Sequence, residues 1–154
     1  NLLRDAAELY CANNGISFGW GRIFYVYGRN EHESRLTGAL IKNLANNHEF
    51  EIKTGALIKD YIYSKDIAGA FVKFLDSNVG GIVNICTGKG VSVGDFASAL
   101  ANKMGKTQLL SVKNESAGQP PLIVGDNTRL TQEVGYEIRY TLDTALEEIL
   151  HEQS

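Results

Sequence analysis

The sequence predicts an α/β fold, and three observations carry that prediction. Apolar residues recur at helical spacing in several separate stretches. Short runs rich in β-branched and aromatic residues lie between them. The two patterns alternate along the chain instead of segregating into blocks, which is the order that builds layered α/β domains.

The elements follow in order. Leu2, Ala6, Leu9 and Tyr10 fall at i, i+4, i+7 and i+8, one face of a first helix that Asn1 is placed to cap. Asn13-Asn14-Gly15 ends it, with Gly15 suited to a left-handed cap. Ser17 to Phe24 reads as a strand and Gly28 to Glu33 as a polar loop. A second helix runs from Ser34 to about Asn46, with Leu36, Leu40 and Leu44 on one face. Phe50 to Ile52 and Leu57 to Tyr63 are short strands around Thr54-Gly55. A third helix starts near Asp66, its expected cap, and carries Ile67, Ala70, Phe71 and Leu75. Gly80-Gly81 breaks the chain, and Ile82 to Cys86 is apolar except for Asn84, as in a strand buried on both faces. Thr87 to Gly90 turns. Ser92, with Asp95 three residues on, caps a helix carrying Val93, Phe96, Leu100 and Met104, which Gly105 closes. Gln108 to Val112 is a strand and Lys113 to Pro121 a loop. Asp126 caps a short helix carrying Leu130 and Val134, ended by Gly135. Thr141 caps the last helix, with Leu142, Ala145, Leu146 and Ile149 on one face.

Composition bounds the function. With 154 residues, 44% apolar and 21% charged, the chain has the makeup of one globular domain with a real core. A net charge of −3 gives no basic footprint for nucleic acid or an anionic membrane surface. No apolar run approaches the roughly 20 residues of a membrane span. Cys11 and Cys86 lack a CxxC context and read as buried thiols of a reduced, cytoplasmic protein. His32, His48 and His151 lie far apart, so no metal site or catalytic triad is expected. Gly15, Gly19 and Gly21 have the wrong spacing for a dinucleotide loop. Gly88 and Gly90 lack the third glycine, which Val93 replaces, and read as a turn.

Gly21-Arg22-Ile23-Phe24-Tyr25-Val26-Tyr27-Gly28 has two readings. It is either a strand with ordinary aromatic packing or a set of side chains at the mouth of a sheet, where ligands of open α/β sheets sit. The segment resembles the R-x-x-N-x-Y-G of extended short-chain dehydrogenases. Lys59-Asp60-Tyr61-Ile62-Tyr63-Ser64-Lys65-Asp66-Ile67-Ala68 resembles that family's R-D-Y-[IV]-[HY]-V-x-D-[VI]-A. Gly81-Ile82-Val83-Asn84-Ile85-Cys86-Thr87-Gly88 resembles G-x-[YV]-N-[IL]-G-[TS]-G, and Val91-Ser92-Val93 the start of the next helix. Asp126 through Gly135-Tyr136, with Arg129-Leu130 between, resembles D-x-x-[RK]-[LA]-x-x-x-L-G-[WY]. Five pieces in the right order identify the chain as a member of the NAD-dependent sugar-nucleotide epimerases and dehydratases within that family.

The resemblance implies a partial Rossmann-like sheet plus a small substrate-binding α/β subdomain. Residues 1–154 would be the C-terminal, substrate-binding portion of a parent whose N-terminal NAD-binding portion is absent. The family's Tyr-x-x-x-Lys pair would fall just before Asn1, so no catalytic residue is expected here, and NAD or NADP would bind the parent rather than this chain alone. Ile23 matches the position whose backbone approaches the nicotinamide. Tyr25 replaces a substrate-contacting asparagine, whose amide it cannot copy. Arg35 and Leu36 match a helix start that reaches the diphosphate and base. Phe50, Glu51 and Lys53 match the strand lining the base. Lys59 replaces a diphosphate-binding arginine, keeping the charge without the bidentate fork. Tyr61 follows it on the same face. Ser116, in Ser116-Ala117-Gly118-Gln119, stands where many members have a second phosphate-binding arginine. Asp60 and Asn84 read as satisfying backbone groups. The implied partners are a nucleotide sugar and the missing half, and open strand edges leave the chain alone unstable, dimeric or swapped. Two other readings stay open: a non-catalytic nucleotide-binding or interaction module, and a reductase of the same family acting on a non-nucleotide substrate.

Overall fold

The computed structural model describes residues 1–115 and 122–151. Five helices, α1 (Leu2–Asn13), α2 (Leu36–Ala45), α3 (Ser64–Leu75), α4 (Val93–Lys103) and α5 (Leu142–His151), alternate with short strands. The strands are β1 (Gly19–Ile23), β2 (Tyr25–Tyr27), β3 (Phe50–Ile52), β4 (Ile58–Lys59), β5 (Tyr61–Tyr63), β6 (Gly81–Ile85), β7 (Val91–Ser92), β8 (Leu110–Val112) and β9 (Leu122–Ile123). The α/β expectation holds.

β1 runs parallel to β6, with Gly19 opposite Gly81 and Ile23 opposite Ile85. At Phe24 the chain changes partner. Phe24 N–H still donates to Ile85 O at 3.2 Å, but Tyr25 N–H donates to Asp60 O at 3.1 Å. β2 then runs parallel to β5, Tyr25 opposite Tyr61 and Tyr27 opposite Tyr63. The expected strand over Ser17–Phe24 therefore starts later and stops at this switch. Leu57–Tyr63 is likewise two strands, because Asp60 N–H turns aside to donate to Ile123 O at 2.9 Å. β4 pairs with β7 and β9, and β3 runs parallel to β8. Two-residue strands such as β7 and β9 show no periodicity and were not expected.

The alternation of β5 divides two cores. Tyr61 and Tyr63 face a cluster made by α2, α4 and α5, in which Leu40, Leu44, Phe96, Leu100, Leu146 and Ile149 are fully buried. Ile62 faces the other way, onto Ala70, Phe74, Val83, Ile85, Leu130, Val134 and Tyr136. α4 supplies the first cluster because Phe96, Ala97, Leu100 and Ala101 share one face. The Ser92 hydroxyl caps α4, accepting from Asp95 N–H at 2.9 Å. Thr141 Oγ1 accepts from Thr144 N–H at 3.2 Å at the start of α5.

Asp66 does not cap its helix. α3 begins at Ser64, and Asp66 is buried in the first turn. Its carboxylate accepts from Tyr136 Oη at 2.8 Å, Arg139 N at 2.9 Å and Tyr140 N at 3.2 Å. A carboxylate among three donors from a distant segment is a tertiary tie, which sequence spacing alone mimics as a cap. The short helix after Asp126 is a π-helical turn, Arg129–Glu133, and a 3-10 turn, Thr107–Leu109, precedes β8. Nor is β6 buried on both faces: Val83 and Ile85 are buried, whereas Ile82 and Asn84 are half-buried. Cys86 is buried, but Cys11 is only half-buried.

α1 buries no residue. Leu2 is 90% exposed and Tyr10 64% exposed, so its apolar face is uncovered, and Asn1 makes no side-chain cap bond. One edge of β1 is also open. Gly81 N–H donates to Phe18 O at 2.8 Å and Phe24 N–H to Ile85 O, so the parallel ladder uses the backbone groups of residues 18, 20, 22 and 24. Those of Gly19, Gly21 and Ile23 face the opposite side, where no described strand pairs. The outer edge of β6, in contrast, is closed by the Arg129 guanidinium, which donates to Ile82 O at 2.5 Å and Gly80 O at 3.1 Å. Among the described residues no helix is long and apolar enough to cross a membrane.

Candidate functional site

The change of partner at Phe24 leaves a crevice between the β1–β6 and β2–β5 pairs. Arg22, Ile23, Phe24, Tyr25, Arg35 and Ile123 line a recess of about 460 Å³ there. It lies outside the carboxyl end of β1, at the point where strand order switches, which is the place open α/β sheets offer to ligands. A recess of about 530 Å³ at the other end of β1 is lined by Phe18, Phe71, Phe74 and Leu75 together with Ser17, Ser77 and Asn78, and holds no titratable side chain.

Two cations, Arg22 and Arg35, line the first recess, and a third, Lys59, lies against the ring of its lining residue Tyr25. Arg22 Nη1 donates to Asn84 Oδ1 at 3.1 Å, which orients its guanidinium. Arg35 Nε donates to Glu31 Oε1 at 3.3 Å. Lys59 Nζ stands 4.4 Å from the centroid of the Tyr25 ring. No carboxylate pairs with Lys59 among the described residues. Arg35 is ion-paired with Glu31, whereas Arg22 and Lys59 form no ion pair among the described residues.

Aromatic rings back these cations. Tyr25 and Tyr61 lie 6.2 Å apart, and Tyr61 stacks on the buried Phe96 at 4.4 Å. Among the described residues the Tyr61 hydroxyl and Glu31 Oε2 are buried without hydrogen-bond partners. Burial, with smaller contributions from Tyr25 and Glu31, pushes the Tyr61 phenol up to about 12. It therefore stays a neutral O–H.

Asp60, between Lys59 and Tyr61, is fully buried. Its Oδ1 accepts from Thr87 N at 2.8 Å and Thr87 Oγ1 at 2.6 Å. Its Oδ2 accepts from Gly88 N at 2.9 Å and Gly125 N at 3.2 Å. The carboxylate thus fastens the turn after β6 and the segment after β9 to the β4–β5 junction. Its donors are all neutral, and it makes no ion pair with Lys59. Asn84 likewise serves the backbone, donating to Asp126 O at 3.0 Å.

Of the residues singled out from the sequence, Ile23, Tyr25 and Arg35 come together at this recess, with Lys59 and Tyr61 against Tyr25. Leu36 and Phe50 pack against the helical core instead. Glu51 forms an ion pair with Lys113, and Lys53 is exposed. Ser116 lies outside the described residues. Arg22 and Ile123 had no assigned role. Arg22 stood in the segment that drew notice, whereas Ile123 reaches the recess only because β9 pairs with Lys59. No group of three or more metal-ligating side chains occurs among the described residues.

Short parallel strand pairs, a helical subdomain and a recess lined by Arg22, Tyr25 and Arg35 at the strand switch define a Rossmann-like α/β protein. Residues 2–86 match the NAD dependent epimerase/dehydratase family, and the chain belongs to it. It is 28% identical over 108 residues to a UDP-glucose 4-epimerase of Corynebacterium glutamicum, a match covering 68% of this chain and 33% of that protein. It is 26% identical over 102 residues to a bifunctional UDP-glucose and UDP-xylose 4-epimerase of Arabidopsis thaliana, covering 62% and 29%. Among solved structures, the UDP-N-acetylglucosamine 4-epimerase of Bacillus cereus superposes with a TM-score of 0.85 at 21% identity, over 98% of this chain and 53% of the other. That likeness establishes the Rossmann-like fold. The chain spans about a third of the length of the curated relatives it matches.

Proposed function

We propose that this chain supplies the nucleotide-sugar pocket of an NAD-dependent epimerase or dehydratase. The observation that carries the reading is that Arg22 and Arg35 line the recess at the Phe24 switch, with Lys59 against the ring of Tyr25, which lines it too. A diphosphate is a ligand whose charge suits these cations, and the aromatic wall suits the rest of a nucleotide sugar. The Tyr61 ring backs Tyr25 in that wall.

In the same reading an N-terminal half carries the catalytic residues and the glycine-rich turn. Two features support it: the uncovered apolar face of α1 and the unpaired backbone groups of Gly19, Gly21 and Ile23 along β1. The Ile23 groups are free to meet a nicotinamide amide, and this is the only contribution to the cofactor we assign to this chain. Bound NAD or NADP supplies a hydride acceptor for one sugar carbon. The chain's own residues hold the diphosphate and keep the sugar in register with it. A cytoplasmic setting accords with the unpaired Cys11 and Cys86, and a homodimer is part of the proposal.

The test uses the full-length protein with its cofactor. Incubation with UDP-sugars is expected to give a 4-epimer or a dehydrated product. Binding of UDP without turnover would leave a nucleotide-binding module. Turnover of a carbonyl substrate with no affinity for any nucleotide sugar would replace the reading with a reductase.

A further inference from the structure

The two positions that depart from the family's R-x-x-N-x-Y-G and R-D-Y patterns, Tyr25 and Lys59, touch one another. Lys59 Nζ lies 4.4 Å from the Tyr25 ring centroid, within the reach of a cation–π contact. The ring is itself held. It sits 6.2 Å from Tyr61 at an interplanar angle of 55°, and Tyr61 stacks at 4.4 Å and 28° on Phe96, which is fully buried on α4. The backbone fixes the same register, because β2 pairs Tyr25 with Tyr61. A line of three rings therefore runs from the core to a single ammonium group.

We propose that Tyr25 is a positioning residue that aims Lys59 at the recess. The inference rests on the reading that Lys59 meets the diphosphate. A lysine is a point charge on a flexible stem, and it lacks the planar fork by which an arginine sets its own direction. No carboxylate holds Lys59 among the described residues. The ring face restricts the stem before the ligand arrives, which reduces the ordering that binding must impose. It does so without neutralising the charge, so the ammonium remains available to an oxygen anion. A carboxylate in place of Tyr25 would hold the stem equally well and cancel the charge.

The test is a double-mutant cycle in the full-length protein, with UDP as the probe and binding measured by calorimetry. Lys59→Met is expected to weaken UDP by about tenfold or more, the scale of a lost charged hydrogen bond. Tyr25→Leu should weaken it by about two- to fivefold. Tyr25→Phe, which keeps the ring face and removes only the hydroxyl, should restore most of what Tyr25→Leu loses. In the Lys59→Met background, Tyr25→Leu should have almost no further effect. A second readout is independent of UDP: the Lys59 side-chain proton resonances should be shifted upfield by the ring and move back in Tyr25→Leu but not in Tyr25→Phe. If UDP fails to bind the unsubstituted protein, or Lys59→Met leaves its affinity unchanged, the diphosphate reading falls and this inference with it. If Lys59→Met weakens UDP but the Tyr25→Leu effect persists in its background, or Tyr25→Phe loses as much as Tyr25→Leu, only the positioning role is overturned.

Discussion

Replacing Asp60 by Asn tests whether the floor of the site depends on one carboxylate. The side chain is fully buried and accepts four hydrogen bonds, two on each oxygen. An amide of the same shape offers one acceptor oxygen and one NH2. With the NH2 at the Oδ2 position, it points at the N–H groups of Gly88 and Gly125, and both lose their acceptor. In the flipped orientation the Thr87 hydroxyl can turn to accept, but Thr87 N–H is left facing a donor. Either way at least one buried backbone donor is orphaned and the charge-assisted character of the rest is lost. At about 1–3 kcal/mol for each unsatisfied group, the expected loss is about 3 kcal/mol. That is a large share of the roughly 5–15 kcal/mol that holds a domain folded. Urea unfolding monitored by fluorescence gives the value, and Thr87→Val, which removes the hydroxyl's bonds to Asp60 and Lys89 but leaves Asp60 its three backbone donors, should lose less, about 1–2 kcal/mol. UDP affinity should fall as well, because the turn after β6 and the Lys59–Tyr61 segment are no longer fastened together. A stability loss below about 0.5 kcal/mol for Asp60→Asn, the range of ordinary surface changes, would falsify this account of the hub.

Three further outcomes follow from the geometry. Burial, with a smaller contribution from the Asp60 charge, pushes the Cys86 thiol up to about 12 from its ordinary value near 9. The folded form therefore retains a proton that the unfolded chain releases, so this contribution is intact below about pH 9 and is lost as pH rises from there towards 12. Urea midpoints measured across that range should fall less in Cys86→Ala than in the unsubstituted protein, and a thiol reagent at pH 8 should reach Cys86 only on unfolding. Gly125→Ala should destabilise by about 1–3 kcal/mol, since an added Cβ would lie 2.4 Å from Cys86 Sγ and 2.7 Å from Phe24 Cζ, and a change within 0.5 kcal/mol by thermal melting would contradict the packing described. Leu9→Lys, at a site 63% exposed here, should leave the melting of the isolated chain unchanged within about 0.5 kcal/mol yet destabilise the full-length protein, whereas equal melting shifts in both would mean that no further half covers α1.

The sequence by itself determined the class of fold, the helices and the family. α4 and α5 are legible because Phe96 and Leu100, or Ala145, Leu146 and Ile149, repeat with the helical period and follow a Ser or Thr that caps them. Local chemistry states both facts. Tyr25, Lys59 and Tyr61 were also visible as members of short ordered motifs, and Arg35 as the start of the helix that the resemblance implies. What the sequence could not state is which strand each segment joins. Pairing energy comes from a partner distant in sequence, so the switch at Phe24, and the crevice it opens, exists only once β6 and β5 are both in place. The same limit explains Asp66, whose spacing mimics a helix cap although Tyr136, Arg139 and Tyr140 claim its carboxylate. It also explains the contact between Lys59 and Tyr25, 34 positions apart in the chain yet with the ammonium 4.4 Å from the ring centroid, because a side chain's direction is fixed by the register of its strand and not by its neighbours in sequence.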